Sequence, residues 1–256
     1  MCGINGCIHL KDFSFSKDKF KEATNLLAHR GPDSFGVTEE VDDRFVIKLG
    51  HQRLSILGID ESGNQPISSE NNLCTMIYNG EIYNHISLRK EMGNRFLGNS
   101  DSETLVNLLE TNNIDNVLEK IEGMFAFCFY DKRQQKITLV RDKSGEKPLY
   151  LSSGPNFFGF SSDLISLKEI PNFTNALNKT AVEKYLQHNY IPAPETIYKN
   201  SFKLPPGSYI TIDLKLFEPT NYESFQDLIS SRGVDFKYWW SLNSCYDAKN
   251  STFNMS

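Results

Sequence analysis

Apolar residues recur along this chain both in short runs and at helical spacing, which divides it into a mixture of strands and helices. Gly3 to His9 is an apolar run suited to a buried strand. Lys17 to Ala28 sets Phe20, Ala23, Leu26 and Leu27 on one face and predicts an amphipathic helix. Phe45 to Leu49 reads as a strand running into Gly50-His51-Gln52-Arg53-Leu54, and Leu73 to Tyr78 as a second; a helical stretch follows from Asn84 to Met92. Ser100-Asp101-Ser102-Glu103 ahead of Leu105, Leu108 and Leu109 is the capping-box pattern of a helix start. Gly123 to Tyr130 and Lys136 to Arg141 read as paired strands around a turn at Asp131 to Gln135, with their aromatic stripe assigned to core packing.

Chemistry enters where this pattern breaks. His29-Arg30-Gly31-Pro32-Asp33-Ser34-Phe35-Gly36 ends the first helix with two glycines and a proline, which demand a turn; taken alone, the stretch reads first as a connector. Arg53, placed by alternation on the face opposite Leu54, needs a partner. That partner is either a surface carboxylate or a substrate carboxylate gripped by two parallel hydrogen bonds. Asn79-Gly80 after a strand normally signals a hairpin. The helix that follows instead puts the pair at a strand-to-helix corner, with backbone N–H groups free to meet a ligand, an arrangement suited to an oxyanion. Ser100 and Glu103 are accounted for as caps, which leaves Asp101 as a carboxylate able to bind a substrate ammonium group. If Met1 is removed, Cys2 carries both a thiol and a free α-amine. The two titrate within about a unit of each other, so the amine can take the thiol proton without any histidine.

Composition narrows the classes. A chain of 256 residues can bury a full core as one large domain, or as one domain plus part of another. A net charge of -5 without a long basic run leaves no nucleic-acid footprint, and no apolar stretch approaches a membrane span. No signal-peptide pattern follows Cys2. The cysteines Cys2, Cys7, Cys74, Cys128 and Cys245 are odd in number, scattered and free of CxxC pairs, which suits a reducing cytoplasm and argues against a structural zinc site.

Taken in order, MCGI at 1 to 4, HRGPDSFG at 29 to 36, GHQRLSI at 50 to 56, YNGEIYNH at 78 to 85, SDSE at 100 to 103, GMFAF at 123 to 127 and RDKSGEKPLY at 141 to 150 resemble the glutaminase half of glutamine-hydrolysing asparagine synthetases, a class II glutamine amidotransferase. The likeness continues through YIPAPE at 190 to 195 and KLPPG at 203 to 207. It implies an α+β fold, that of the N-terminal nucleophile hydrolases: a four-layer αββα sandwich of two antiparallel sheets. The mixture of strands and helices is compatible with that fold but does not by itself select it. The resemblance further implies that the Cys2 sulfur attacks the side-chain amide of glutamine and that Asn79 and Gly80 hold the oxyanion. Arg53 would bind the α-carboxylate, and Asp101 and Glu81 would meet the α-ammonium. Arg30 and Gly31 would shape the wall beside Cys2. No metal or cofactor is expected within these residues; ATP and Mg2+ would accompany only a synthetase domain. The expected partners are glutamine and an ammonia-accepting synthetase domain in cis or in trans, and a homodimer is allowed.

Some features depart from the family. No SGGxDS string for ATP binding occurs, and where the family tends to show FASE this chain has Phe160-Ser161-Ser162-Asp163, which puts the contact made at Asp163 in doubt. The expected organisation is a glutaminase domain over residues 1–210, with 211–256 a linker and the start of a missing synthetase half, polar and disordered from Asn243 to Ser256. Two alternatives remain open: a non-catalytic or regulatory relative, and an amidotransferase for another acceptor such as a sugar.

Overall fold

The computed structural model describes residues 1–55, 63–93 and 96–242; Cys245, Ile56 and the polar stretch 243–256 lie outside the described residues. The chain runs β1 (Gly3–Leu10), α1 (Lys17–Asn25), β2 (Ser34–Val41), β3 (Phe45–Arg53), β4 (Ile67–Ser68), β5 (Cys74–Ile82), α2 (His85–Met92), α3 (Asp101–Thr111), α4 (Ile114–Lys120), β6 (Gly123–Asp131), β7 (Lys136–Arg141), β8 (Tyr150–Gly154), β9 (Phe157–Ser161), α5 (Leu164–Leu167), α6 (Lys179–His188), β10 (Ser201–Lys203), β11 (Ser208–Asp213), α7 (Phe225–Ile229) and β12 (Val234–Tyr238). Two six-stranded sheets result, in the orders β10-β8-β9-β1-β3-β2 and β12-β11-β7-β6-β5-β4. Every strand pairing is antiparallel.

Alternation decides which side chains fill the space between the sheets. Ile4 and Ile8 of β1 with Phe45, Ile47 and Leu49 of β3 pack against Ile77 of β5, Ala126, Cys128 and Tyr130 of β6, and Ile137 and Leu139 of β7. The opposite face of the first sheet is covered by α1 and α5, through Cys7, Phe20, Ala23, Phe157 and Leu167. The opposite face of the second is covered by α2, α3 and α4, through Met76, Phe127, Leu88, Leu105, Val106 and Val117. This is the αββα sandwich expected from the resemblance. Each fully buried Ile or Phe contributes about 2 kcal/mol on leaving water, and a one-residue slip would turn a whole row of them outward. The register is therefore pinned.

Two expectations change in detail. α1 stops at Asn25, three residues before Ala28, where the chain turns and the Leu27 N–H reaches Thr24 O. Asn79 and Gly80 lie inside β5 rather than at a corner, because β5 stays paired with β6 as far as Ile82, opposite Gly123. Residue 210, the expected end of the glutaminase domain, lies inside β11, whose partners are β7 and β12.

Candidate active site

The rows of inward-facing side chains turn polar at one end of the sandwich. On β3 the row Phe45, Ile47, Leu49 continues to His51 and Arg53; on β5 Ile77 is followed by Asn79 and Glu81; on β6 Met124 follows Ala126. Cys2 prolongs the row of Ile8 and Ile4. These ends meet around a cavity of about 130 Å³ lined by Cys2, Arg53, Asn79, Gly80, Glu81 and Asp101 together with Tyr78, Met124 and Lys147. All six residues singled out in the sequence for chemistry are thereby brought together. A larger groove of about 690 Å³ around Asn178, Glu195 and Gln226 contains none of them.

Cys2 is held on both sides of its Cα. Its Sγ accepts from the Leu54 N–H at 3.3 Å, and its carbonyl accepts from Arg30 Nε at 3.2 Å. Gly31 follows at a point where a Cβ would come within 2.4 Å of the Gln52 carbonyl oxygen, so only glycine lets the loop lie against β3. Behind it, β1 is fixed by the Ile4 N–H donating to Ser162 Oγ at 3.1 Å and by Asn5 Nδ2 donating to Ser166 Oγ at 2.9 Å. Burial pushes the Cys2 thiol above its ordinary pKa; the Leu54 N–H, the amino terminus and Arg53 oppose the rise, and Asp101 adds to it.

Asn79 is 1% exposed, and among the described residues neither its Oδ1 nor its Nδ2 has a hydrogen-bond partner. A buried amide left unbonded costs about 1–3 kcal/mol per group, so this side chain is set for something other than the protein's own stability. The backbone around it is equally directed. The Tyr78 N–H donates to Gln65 Oε1 at 2.6 Å and the Ile82 N–H to Asp101 Oδ2 at 2.9 Å, so even-numbered peptides of β5 face away from β6. Gly80 lies between them and turns its N–H to the same side, at the cavity. A Cβ on Gly80 would stand 2.3 Å from the Met124 carbonyl oxygen, which explains the glycine in a strand interior.

Asp101 opens α3, with Ser100 as N-cap accepting from the Glu103 N–H at 3.3 Å. The expected capping box is not closed by Glu103, whose carboxylate binds the N–H groups of Leu97 and Gly98 and pairs with Arg89. Asp101 Oδ2 takes the Tyr78 hydroxyl at 2.7 Å as well as the Ile82 N–H. Arg53 is 5% exposed and donates from Nη1 to Asn64 Oδ1 at 3.0 Å. His51 Nε2 lies 3.1 Å from the Tyr78 carbonyl oxygen; since that oxygen can only accept, Nε2 carries the proton, and burial lowers the ring's pKa to about 3. This bond ties β3 to β5 between Arg53 and Asn79.

Asp163 stands outside the cavity. Its Oδ1 caps α5 by accepting from the Ile165 N–H at 3.0 Å, and its Oδ2 lies 3.6 Å from His29 Nε2. Sequence reasoning missed Tyr78, Gln65, Met124 and Lys147. Tyr78 reads in the sequence as the end of an apolar strand and Met124 as core, and Gln65 and Lys147 reach the cavity only through the fold. Among the described residues no cluster of His, Cys, Asp and Glu could hold a metal ion, and no helix is long and apolar enough to cross a membrane.

A Methanocaldococcus jannaschii protein named for glutamine-hydrolyzing asparagine synthetase is 37% identical over 243 residues, covering 87% of this chain and 46% of that protein. Asparagine synthetase 1 of Bacillus subtilis, also named glutamine-hydrolyzing, is 34% identical over 217 residues, covering 83% of this chain and 33% of that protein. The chain therefore spans less than half the length of these relatives. Glutamine phosphoribosylpyrophosphate amidotransferase from B. subtilis superposes with a TM-score of 0.61 at 17% identity, over 94% of this chain and 50% of that one. A second structure, of the allosteric regulatory enzyme of purine biosynthesis, gives 0.64 at the same identity and coverage. At that identity the likeness concerns the fold alone, a pair of antiparallel sheets covered by helices. Residues 1–223 match the family described as the glutamine amidotransferase domain, and with the cavity at the end of its two sheets this chain belongs to that family.

Proposed function

We propose that the chain hydrolyses glutamine to glutamate and ammonia with Cys2 as the nucleophile. The observation that carries this reading is the Asn79 amide, buried without a hydrogen bond on the wall of the cavity that Cys2 enters. A non-catalytic relative has no use for that cost. Loss of Met1 frees the Cys2 α-amine, which takes the thiol proton as Sγ adds to the carbonyl carbon of the substrate's side-chain amide. The oxyanion that forms accepts from Asn79 Nδ2 and the Gly80 N–H. The amine passes its proton to the leaving nitrogen, ammonia departs, and a γ-glutamyl thioester remains on Sγ. Water, deprotonated by the same amine, cleaves the thioester to glutamate and restores the thiol. Arg53 holds the α-carboxylate, while Asp101 and Glu81 hold the α-ammonium.

Ammonia released here is used for amide formation, with aspartate as acceptor, in an ATP- and Mg2+-dependent synthetase half in cis or in trans. The names of the relatives and their greater length support this. The free thiols of Cys7, Cys74 and Cys128 suit the reducing cytoplasm. The experiment is to measure ammonia release from glutamine by protein whose intact mass lacks Met1. Release that survives Cys2→Ala would sink the reading.

A further inference from the structure

Four charged side chains line the cavity: Arg53, Glu81, Asp101 and Lys147. The amino-acid head group, as read above, engages the first three and leaves Lys147 with nothing to bind. Lys147 is 5% exposed, and among the described residues its Nζ makes no hydrogen bond or ion pair. Its backbone is nevertheless fixed at both ends: the N–H donates to Asp142 Oδ2 at 2.9 Å and the carbonyl accepts from Arg141 Nε at 2.9 Å. Asp142 Oδ1 holds the N–H groups of Ser144 and Glu146, and Arg141 Nη2 holds the Gly145 carbonyl. The loop exists in one shape that delivers this lysine to the cavity.

The direction of approach identifies what the lysine meets. Asp142 Oδ2 also takes the Phe125 N–H at 3.3 Å, and Phe125 lies opposite Gly80 in the pairing of β6 with β5. Lys147 thus reaches Asn79-Gly80 from the β6 side, whereas Asp101 reaches it from the opposite side of β5, through the Ile82 N–H. A glutamine anchored at Asp101, with its amide on Asn79-Gly80, has Lys147 beyond the amide. The charge that appears there is negative: first the oxyanion, then the γ-carboxylate of glutamate.

We propose that Lys147 is the counter-charge for the γ-oxygens, so that the site holds its product glutamate through this lysine while glutamine, neutral at that end, is bound without it. The proposal rests on the glutaminase reading. The test is calorimetric titration of glutamine and of glutamate into the Cys2→Ala protein, with Lys147 and with Lys147→Met. Loss of one charge-assisted contact should weaken glutamate by about tenfold or more. Glutamine should stay within about twofold, and Lys147→Arg should restore glutamate binding. Equal losses for both ligands, or an unchanged glutamate affinity, overturn the assignment of Lys147 and leave the glutaminase reading standing. Cys2→Ala protein that binds neither ligand overturns both. Should Lys147→Met fail to fold, Lys147→Gln carries the same expectations, since it keeps a polar end and removes the charge.

Discussion

The Tyr78 hydroxyl donates to Asp101 Oδ2 at 2.7 Å, beside the Ile82 N–H on the same oxygen. One oxygen of this carboxylate is thereby filled from within the protein, and in the proposed reading the substrate ammonium would meet the other. Tyr78→Phe keeps the ring in its packing and removes one donor, so the Asp101 carboxylate should be held less firmly in place. The Michaelis constant for glutamine should rise by about fivefold to tenfold with turnover little changed, at about 1.0–1.5 kcal/mol for one such bond. An unchanged Michaelis constant would separate Tyr78 from substrate binding.

Cys2→Ala should abolish ammonia release and leave the melting temperature close to that of the parent. The strand behind it is held by Ser162 and Ser166, not by sulfur. A glutamine-like diazo-ketone should add its mass at Cys2 and spare Cys7, Cys74 and Cys128, which are buried. Labelling spread evenly over all four would contradict the assignment.

Asn79→Ala should lower turnover by about a hundredfold or more with little change in the Michaelis constant, since it removes a donor that meets charge only in the transition state. Melting temperature adds a second readout. The amide has no partner to lose, so the variant should be as stable as the parent or more so. A destabilised protein with normal turnover would return Asn79 to an ordinary structural role.

Arg53→Lys should weaken glutamine by roughly thirtyfold, appearing in the Michaelis constant, because an ammonium cannot reproduce the two-point grip of a guanidinium on a carboxylate. Normal kinetics combined with a lower melting temperature would instead make the bond to Asn64 the purpose of this residue.

His51 sets a pH dependence. Its pKa falls from 6.5 to about 3 on folding, so between those values the unfolded chain binds a proton that the folded protein refuses. Its contribution to stability is therefore complete above pH 6.5 and declines as pH falls towards 3, with a limiting slope of ~1.4 kcal/mol per pH unit. Urea unfolding from pH 7 to pH 4 should show a shallower decline for His51→Gln than for the parent; parallel curves would contradict the assignment.

Local pattern carried the strands of the core, because burial writes itself into alternation; residue chemistry singled out Cys2, Arg53, Asn79, Gly80 and Asp101, the resemblance added Glu81, and the fold brings all six to one cavity. Local pattern failed where a distant partner decides. Asn79-Gly80 has the composition of a turn, yet β5 runs on through it because the β6 residues Phe125 and Ala126 lie opposite. Glu103 has the spacing of a capping box, yet Arg89 and the Leu97–Gly98 backbone claim its carboxylate. Tyr78 alternates as a core residue and is one, with only its hydroxyl engaged in the site.

The strands beyond residue 210 bear on how the protein can be divided. β11 adds to β7 through Tyr209 to Asp213, and β12 adds to β11; Trp239 then stacks on Phe125 at 6.0 Å and donates its indole N–H to the Arg141 carbonyl at 3.2 Å. Phe125 and Arg141 flank Gly80 and the loop that delivers Lys147. A chain cut after residue 210 would sever β11, strip the ring from Phe125 and leave β7 as a raw apolar edge prone to self-association. The smallest soluble piece that retains the cavity in working order should therefore extend through Trp240.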